Sequence, residues 1–248
     1  MPNNERSGVA RALSKMGYCS RSQAAALVLA GRVTLNGRLV RDPETPVRTE
    51  QDHIRVDGSG VEARPKTYLV MNKPRGVVTT ASDEKGRATV YDLLEPSKNN
   101  EWISPVGRLD KASEGLLLLT NDSKWASKIA DPASHLDKRY HVQVDRVAGD
   151  DLLARIRQGV SSGRDRLQVK EARLLRVGSK NSWLEITLDE GKNRQIRRLL
   201  AALGVQVLRL VRVSVGPLEL GDLKKGTVRP LTNREKRSVE QALDAEGG

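Results

Sequence analysis

Cysteine and aromatic residues are scarce in this chain. Cys19 is the single cysteine, which excludes an internal disulfide and a cysteine-based zinc site. The three histidines, His53, His135 and His141, do not have the spacing of metal ligands, so we expect no structural metal. Three tryptophans, four tyrosines and no phenylalanine are too few for a nonspecific single-strand binder that stacks one base after another.

Long apolar runs are missing as well. No segment approaches the roughly 20 apolar residues that cross a bilayer, and the first ten residues, MPNNERSGVA, lack the apolar core of a signal peptide. We therefore expect a soluble, cytoplasmic protein with no membrane partner. The 38% of hydrophobic residues is still enough to build ordinary cores in a chain that is long enough for two domains.

Acidic residues are outnumbered by basic ones. The 248 residues include 43 Lys and Arg against 31 Asp and Glu, which gives a formal net charge of +12. Such an excess makes a polyanion the expected partner and an anionic membrane surface the weaker alternative.

Two helices are predicted near the start of the chain. Apolar residues at helical spacing predict the first helix over residues 8–19. Ser20 is a typical N-cap for a second helix over residues 21–30, and Gly31 is a typical end for it.

A hairpin and an uneven charge distribution complete a module over residues 1–62. Asn36 and Gly37 stand between two short apolar runs, which predicts a tight turn within residues 32–40. The first 41 residues carry seven basic side chains and one acid, whereas the rest of the module carries six acids and two arginines. Isolated surface cations are usually solvated, but this clustering predicts contact with RNA or DNA. The candidate contacts are Arg11, Lys15, Arg21, Arg32 and Arg38.

A linker and a larger domain follow the module. The stretch GSGVEARPK reads as a linker, and we place the linker proper at residues 63–67 and the domain at 68–248. Short apolar segments, with clear alternation at 139–145, predict strands at 68–73, 115–120, 139–145, 167–177, 182–188 and 205–216. Helical spacing predicts helices at 123–131 and 192–203. The connections are too short for every one of them to be a helical crossover. The predicted fold class is therefore α+β with a mostly antiparallel, mixed sheet.

The predicted helix over residues 192–203 places three arginines side by side. An apolar stripe that begins at Ile196 would be buried, and Arg194, Arg197 and Arg198 would share a neighbouring face. One reading is a solvated basic face. The other is that one guanidinium pairs with a carboxylate and the others with phosphates.

A carboxylate stands at the start of a buried run in GRLDKASEGLLLLT. Asp110 falls in a short polar turn, where an adjacent arginine would keep it ionised and able to act as a nucleophile or base. The alternative is that Asp110 only caps the turn. For Glu114 we expect a structural role, such as a pair with Lys111.

Four ordered motifs resemble those of one enzyme family, the RsuA-type pseudouridine synthases of ribosomal RNA. The motifs are VGRLDKASEGLLLLTND, KRYHVQV, EGKNRQIRRLLAALGVQVLRLVRVSVGPL and GDLKKGTVRPLT. Residues 9–40 resemble the RNA-binding module, named for a small-subunit ribosomal protein, that precedes many members. Ser123 and Val228 depart from the family pattern, which usually has glycine and tryptophan there, but neither belongs to the reacting groups.

The resemblance implies roles for individual residues. Asp110 corresponds to the catalytic aspartate, Tyr140 to the tyrosine that packs against the target base, and Arg197 to the basic partner of the aspartate. Arg108 would enter the space that the displaced base leaves. Arg194 and Arg198 are expected to contact RNA.

The implied reaction turns uridine into pseudouridine. It breaks the glycosidic bond, rotates the uracil and rejoins it through carbon without net redox change, so no cofactor is expected. The expected partner is ribosomal RNA or a ribosome assembly intermediate, with large-subunit RNA favoured over small-subunit RNA, and we expect the protein to act as a monomer.

Three alternatives stay open at this point. The chain could be a non-catalytic RNA-binding or ribosome assembly protein, or the same enzyme acting on transfer RNA. It could also be an RNA methyltransferase, but that chemistry usually needs a glycine-rich cofactor turn, and neither GxGxxG nor a P-loop is present.

Overall fold

The computed structural model describes residues 6–81, 83–94, 102–163 and 165–246. The first elements are β1 (Ser7–Gly8), α1 (Val9–Lys15), α2 (Arg21–Leu29), β2 (Val33–Leu35), β3 (Arg38–Val40), β4 (Pro46–Val47), β5 (Ile54–Val56) and β6 (Ser59–Gly60). Those that follow are β7 (Tyr68–Lys73), β8 (Ser104–Val106), β9 (Glu114–Thr120), α3 (Ser123–Ala130), β10 (Lys138–Val144), α4 (Asp150–Gln158), β11 (Val160–Ser162), β12 (Asp165–Leu167), β13 (Glu171–Val177), β14 (Ser182–Leu188), α5 (Gln195–Ala202), β15 (Val207–Val215), β16 (Leu218–Glu219), β17 (Val228–Pro230) and α6 (Asn233–Glu246). Short 3₁₀ turns cover Val90–Leu93 and Pro132–Ser134.

The chain forms two compact units. Among the described residues, the first unit contains 6–68, 102–104 and 119–124, and the second contains the rest. The segment predicted as a linker, 63–67, lies in the first unit, where the Asn121 amide donates to the carbonyl of Pro65 at 2.8 Å. The backbone N–H of Thr67 in turn donates to Asn121 Oδ1 at 2.9 Å.

The first unit has the predicted two helices and hairpin. Ser20 caps α2 through a full capping box with Gln23, and Gly31 follows the helix with a left-handed φ of 69°. Asn36 and Gly37 both have positive φ, as the predicted tight turn between β2 and β3 requires.

The boundaries of the first unit differ from the prediction in two places. Helix α1 ends at Lys15, four residues before the predicted end, because Gly17 takes a positive φ. Part of the stretch read as linker is a strand, since β6 pairs with β5 across the Asp57-Gly58 turn. A two-residue strand is too short to show any periodicity in the sequence.

The second unit is built on one sheet, with strand order β13-β14-β10-β15-β9-β7-β17. Strand β10 pairs antiparallel with β14 and β15, and β7 pairs antiparallel with β17. Strands β15 and β9 are parallel, so the sheet is mixed and mostly antiparallel, as predicted. At this parallel pair a Cβ on Gly115 would lie 2.2 Å from the Arg212 carbonyl oxygen, and only glycine allows the approach.

Helices α4 and α5 cover one face of this sheet. Leu153 and Ile156 of α4 and Leu199 of α5 are buried against Val142 and Leu184 of the central strands. The apolar stripe predicted for residues 192–203 is therefore the face that α5 buries, and Gly204 ends this helix with a positive φ.

Several predictions for the second unit were wrong or incomplete. Helix α5 begins at Gln195, since Arg194 has a left-handed φ of 48° and precedes the helix. The strand predicted over 167–177 is two strands, β12 and β13. Helices α4 and α6 were not predicted, because α4 has only nine residues and α6 is mostly polar, with Val239 and Leu243 as its buried apolar residues.

Glu114 does not pair with Lys111. Its buried carboxylate accepts hydrogen bonds from Arg209 Nε at 3.1 Å, Arg209 Nη2 at 3.2 Å and the Lys225 ammonium. Burial raises the pKa of Glu114, but the hydrogen bonds and charges of Arg209 and Lys225 outweigh it and hold that pKa below its usual value. The structural role expected for this residue is present, with different partners.

Candidate active site

Asp110 lies in the turn between β8 and β9, at the wall of a cavity of about 560 Å³. This volume is in the range of small-molecule sites. Tyr140 on β10 and Arg194 before α5 line the same cavity, and so does Arg108. Three segments far apart in sequence therefore bring together residues that were predicted to form one site.

The two oxygens of Asp110 have different surroundings. Oδ2 lies 3.3 Å from Arg194 Nη1 and 3.4 Å from Arg197 Nε. Oδ1 is buried and has no hydrogen-bond partner among the described residues. Because an unpaired buried oxygen is costly, this atom is poised to accept a hydrogen bond from, or react with, a molecule that enters the cavity.

Arg197 is the more buried of the two arginines beside Asp110. Its side chain is 13% exposed, against 51% for Arg194, and its Nη2 donates to the carbonyl oxygen of Ala112 at 3.0 Å. Burial lowers the pKa of Arg197 and the Asp110 carboxylate raises it, while the guanidinium stays charged at neutral pH. Arg197 thus holds the backbone of the turn through a hydrogen bond and lies within ion-pair distance of the carboxylate, while its Nε makes no hydrogen bond with a described residue.

The Lys73 side chain holds the backbone of the turn that contains Asp110. This role was not predicted from the sequence. This lysine is fully buried at the end of β7, and its ammonium donates to the carbonyl oxygens of Pro74 at 3.1 Å, Asp110 at 3.2 Å and Ser113 at 2.9 Å. Burial lowers the pKa of Lys73 to about 8, although the charges of Asp110 and Glu114 raise it. The one available signal was a lysine at the end of a mostly apolar strand.

Tyr140 contributes its ring to the cavity wall. It stands opposite Arg212 of β15 and Ile186 of β14 in the sheet register. Its hydroxyl makes no hydrogen bond with any residue that the structure describes. The ring is therefore available as a flat surface with a polar tip.

Two of the three arginines of the predicted basic face share Asp110, and the third pairs with another carboxylate. Arg194 precedes the helix and contacts Asp110, and Arg197 contacts Asp110 and Ala112. Arg198 Nη2 donates to Asp165 Oδ2 at 2.8 Å. The prediction of one shared helical face was wrong, because the left-handed residue turns the chain before α5 begins.

The predicted RNA contacts of the first unit fall into two groups. Arg21 forms an ion pair with Glu44 at 3.0 Å, and Arg32 forms one with Asp57 at 2.6 Å. No ion pair within the described residues is formed by the other three, Arg11, Lys15 and Arg38. Part of the basic charge in this unit is thus balanced by the acids that follow it in sequence.

The described part of the chain has neither a membrane-spanning helix nor a cluster of metal-ligating side chains. None of its helices is both long enough and apolar enough to cross a bilayer. Nor do three or more metal-ligating side chains come together in these residues.

The sequence matches known proteins in both units. Residues 67–202 match the family described as RNA pseudouridylate synthase, and residues 9–54 match the S4 domain. The chain is 35% identical over 236 residues to the ribosomal large subunit pseudouridine synthase B of Bacillus subtilis, covering 94% of this chain and 96% of the relative. It is 37% identical over 232 residues to an uncharacterized RNA pseudouridine synthase of Aquifex aeolicus, covering 93% and 92% of the two chains.

A solved structure shares the fold. The crystal structure of a pseudouridylate synthase superposes with a TM-score of 0.65 at 27% identity, covering 94% of this chain and 99% of that one. The fold and the matched domains define an RNA-modifying enzyme with an RNA-binding domain in front. The chain belongs to the RNA pseudouridylate synthase family, which confirms the resemblance predicted from its four motifs.

Substitution of the two arginines beside Asp110 is expected to have unequal effects. Arg197→Met should lower the rate of pseudouridine formation by about tenfold to a hundredfold, because it removes a buried, charge-assisted contact. Arg194→Met should cost less than about tenfold, since solvent screens the more exposed pair. Single-turnover rates of both variants on ribosomal RNA test the order, and a larger loss for Arg194→Met would contradict it.

Proposed function

We propose that this chain isomerises uridine to pseudouridine in ribosomal RNA, and that its substrate is large-subunit RNA. The observation that carries the proposal is the Asp110 carboxylate, with one oxygen beside two arginines and the other unpaired in the cavity wall. The name of the Bacillus subtilis relative, a large subunit synthase, supports this choice of substrate.

The reaction requires positioning and an ionised carboxylate. The bond between N1 and the ribose C1′ breaks, the uracil turns, and C5 bonds to C1′; C5 loses a proton and N1 gains one. Atoms and electrons balance within the nucleotide, so the proposed reaction uses no cofactor. Asp110 Oδ1 is the carboxylate oxygen that meets the nucleotide, and the two arginines hold the carboxylate in place.

The target uridine must leave its base stack to reach Asp110. Extrusion costs a few kcal/mol, and enzymes recover this cost by receiving the base against an aromatic ring and filling the gap. The ring of Tyr140 receives the base in this proposal, and the exposed Arg108 takes the vacated place. Loops and bulges of ribosomal RNA are suitable targets because their bases can splay out.

Phosphate contacts come from both ends of the chain. Residues 191–237 include twelve basic and three acidic side chains, with Arg194 and Arg198 among the proposed contacts. The first unit adds Arg11, Lys15, Arg21, Arg32 and Arg38.

We propose the division into an RNA-binding module at 1–62, a linker at 63–67 and a catalytic domain at 68–248, in a protein that acts as a cytoplasmic monomer.

The basic residues of the module should differ in their contribution to RNA affinity. Replacing Arg11, Lys15 and Arg38 together by glutamine should reduce the slope of log affinity against log salt by about 2 to 3, since each phosphate contact adds about 0.7 to 0.9. Replacing Arg21 and Arg32 should change it less, because Glu44 and Asp57 already balance these charges. Salt titrations of RNA binding give the slopes of the wild type and of both variants. Equal slopes in all three proteins would contradict the role of the module in RNA binding.

The proposal is tested with the purified protein and three RNA substrates. We expect pseudouridine at one or a few positions of large-subunit ribosomal RNA, and none in small-subunit RNA or transfer RNA. RNA binding without pseudouridine in any substrate would instead favour a non-catalytic ribosome assembly protein. Modification of transfer RNA alone would keep the enzyme and overturn the substrate.

A further inference from the structure

The buried wall of the cavity carries two cations without a role in the function proposed above. Lys138 lies two residues before Tyr140 on β10, so both side chains are on the same face of the strand. Arg212 stands beside Tyr140 on β15. Lys138 is half-buried and Arg212 is buried, and the apolar residues around them in the cavity wall include Leu118, Leu188, Leu210 and Val215.

Neither cation is neutralised by a bonded carboxylate. The Lys138 ammonium makes no hydrogen bond or ion pair within the described ranges. Among the described residues, the guanidinium of Arg212 makes one hydrogen bond, in which Nε donates to the Leu116 carbonyl oxygen at 2.7 Å. Burial lowers the pKa of Lys138 and Arg212 lowers it further, while Asp137 and Asp189 raise it from beyond ion-pair distance.

Desolvated donors of this kind need an acceptor. A lysine ammonium has three donors and no acceptor, and leaving it unpaired against an apolar wall is costly. A ligand that places a carbonyl oxygen at this wall would remove that cost. A ligand that places an amino group there would meet like donors and be rejected.

The shape of a pyrimidine indicates which oxygen reaches Lys138. Asp110 precedes β9, whose first residue, Glu114, pairs with Val211 of β15. Lys138 pairs with Val215, four residues further along β15, so Lys138 and Asp110 lie at separate parts of the wall. In uridine, C4 lies across the ring from N1, the atom that carries the ribose. A base whose N1 lies near Asp110 therefore turns its C4 carbonyl away from Asp110.

Rotation of the uracil preserves this contact. Turning the ring by half a revolution about the N3–C6 axis exchanges N1 with C5 and the C4 carbonyl with the C2 carbonyl. When C5 has replaced N1 beside the ribose, the C2 oxygen occupies the place that the C4 oxygen left. A fixed donor can thus hold the ring before and after its rotation.

We infer that the Lys138 ammonium is the group that recognises the flipped uracil, by donating to its C4 carbonyl in the substrate and to its C2 carbonyl in the product. The inference rests on the proposed function of the site. Arg212 adds positive charge beside the same oxygen. Cytidine carries an amino group at C4, so Lys138 also discriminates against this base.

Sulfur substitution tests the contact without altering the protein. The substrate is a large-subunit RNA fragment whose target uridine, as mapped with the wild-type enzyme, is replaced by 4-thiouridine or 2-thiouridine. A thiocarbonyl is the poorer acceptor, so in Asp110→Asn, which leaves the substrate unconverted, the 4-thio fragment should bind about tenfold to a hundredfold more weakly than the uridine fragment. The 2-thio fragment should bind like uridine.

The variants then assign the contact to Lys138. In Asp110→Asn/Lys138→Met the three fragments should bind equally, whereas Asp110→Asn/Lys138→Arg should still discriminate against the 4-thio fragment. Lys128→Met, which removes an exposed lysine of α3, is the matched control and should leave discrimination unchanged. A 4-thio penalty that persists in the Lys138→Met protein overturns the inference.

Failure of the inference can be distinguished from failure of the proposed function. If the wild-type enzyme forms pseudouridine in the unmodified fragment but binds all three fragments equally as Asp110→Asn, only the role of Lys138 is overturned. If the wild-type enzyme forms none, both are overturned. Should Lys138→Met not fold, the absence of a 4-thio penalty in Asp110→Asn would still overturn the inference.

Discussion

Asp110→Asn is expected to reduce pseudouridine formation by about 10⁴-fold or more while leaving RNA binding intact. The substitution keeps the size of the side chain but removes the charge that stands between Arg194 and Arg197. It also removes the basic oxygen, Oδ1, that has no partner in the described part of the chain. Loss of a negative charge beside a polyanion should leave the affinity for RNA the same or slightly higher.

The matched control is Asp244→Asn, which neutralises a highly exposed carboxylate of α6. This variant should form pseudouridine at the wild-type rate. Thermal unfolding of all three proteins checks that Asp110→Asn is folded. Equal rates for Asp110→Asn and the wild type would show that another residue carries the reaction.

Lys73→Met should destabilise the protein by about 3 kcal/mol and lower its activity. Methionine fills the same space but leaves the carbonyl oxygens of Pro74, Asp110 and Ser113 without their donor. Activity falls as well, because two of these carbonyls belong to the turn that holds the Asp110 side chain. Chemical denaturation gives the free energy of unfolding, with Lys128→Met as the exposed-lysine control.

The contribution of Lys73 to the free energy of unfolding should depend on pH. Its pKa is about 8 in the folded protein and about 10.5 when the side chain is free, so the unfolded chain binds more protons between these values. Below pH 8 the burial of the charged Lys73 ammonium lowers the free energy of unfolding by its full amount. This loss becomes smaller as the pH rises toward 10.5. The stability of the wild type relative to Lys73→Met should therefore increase over this window, and a difference that is flat or falls would contradict the assigned shift.

Local signals in the sequence were sufficient for the elements that depend on neighbouring residues. The N-cap at Ser20 and the turn at Asn36-Gly37 involve residues at most three positions apart, and both were predicted correctly. Strand β14 was predicted with its observed bounds, since the apolar residues Leu184, Ile186 and Leu188 alternate along it.

Contacts between segments that are distant in sequence could not be predicted from local patterns. Lys73 meets the carbonyls of Asp110 and Ser113, which are 37 and 40 residues away, and no local pattern reports such a contact. The left-handed conformation of Arg194 likewise separated it from the helical face it was expected to share. The pairing of Asp110 with Arg197 was expected only because the motifs resemble those of a known family.

The most direct test of the account is a pseudouridine map of ribosomal RNA from a strain that lacks this gene, complemented with the wild type or with Asp110→Asn. The account predicts that one or a few pseudouridines disappear from large-subunit RNA and return only with the wild-type protein. Restoration of the same positions by Asp110→Asn, or a map that does not change on deletion, would contradict it.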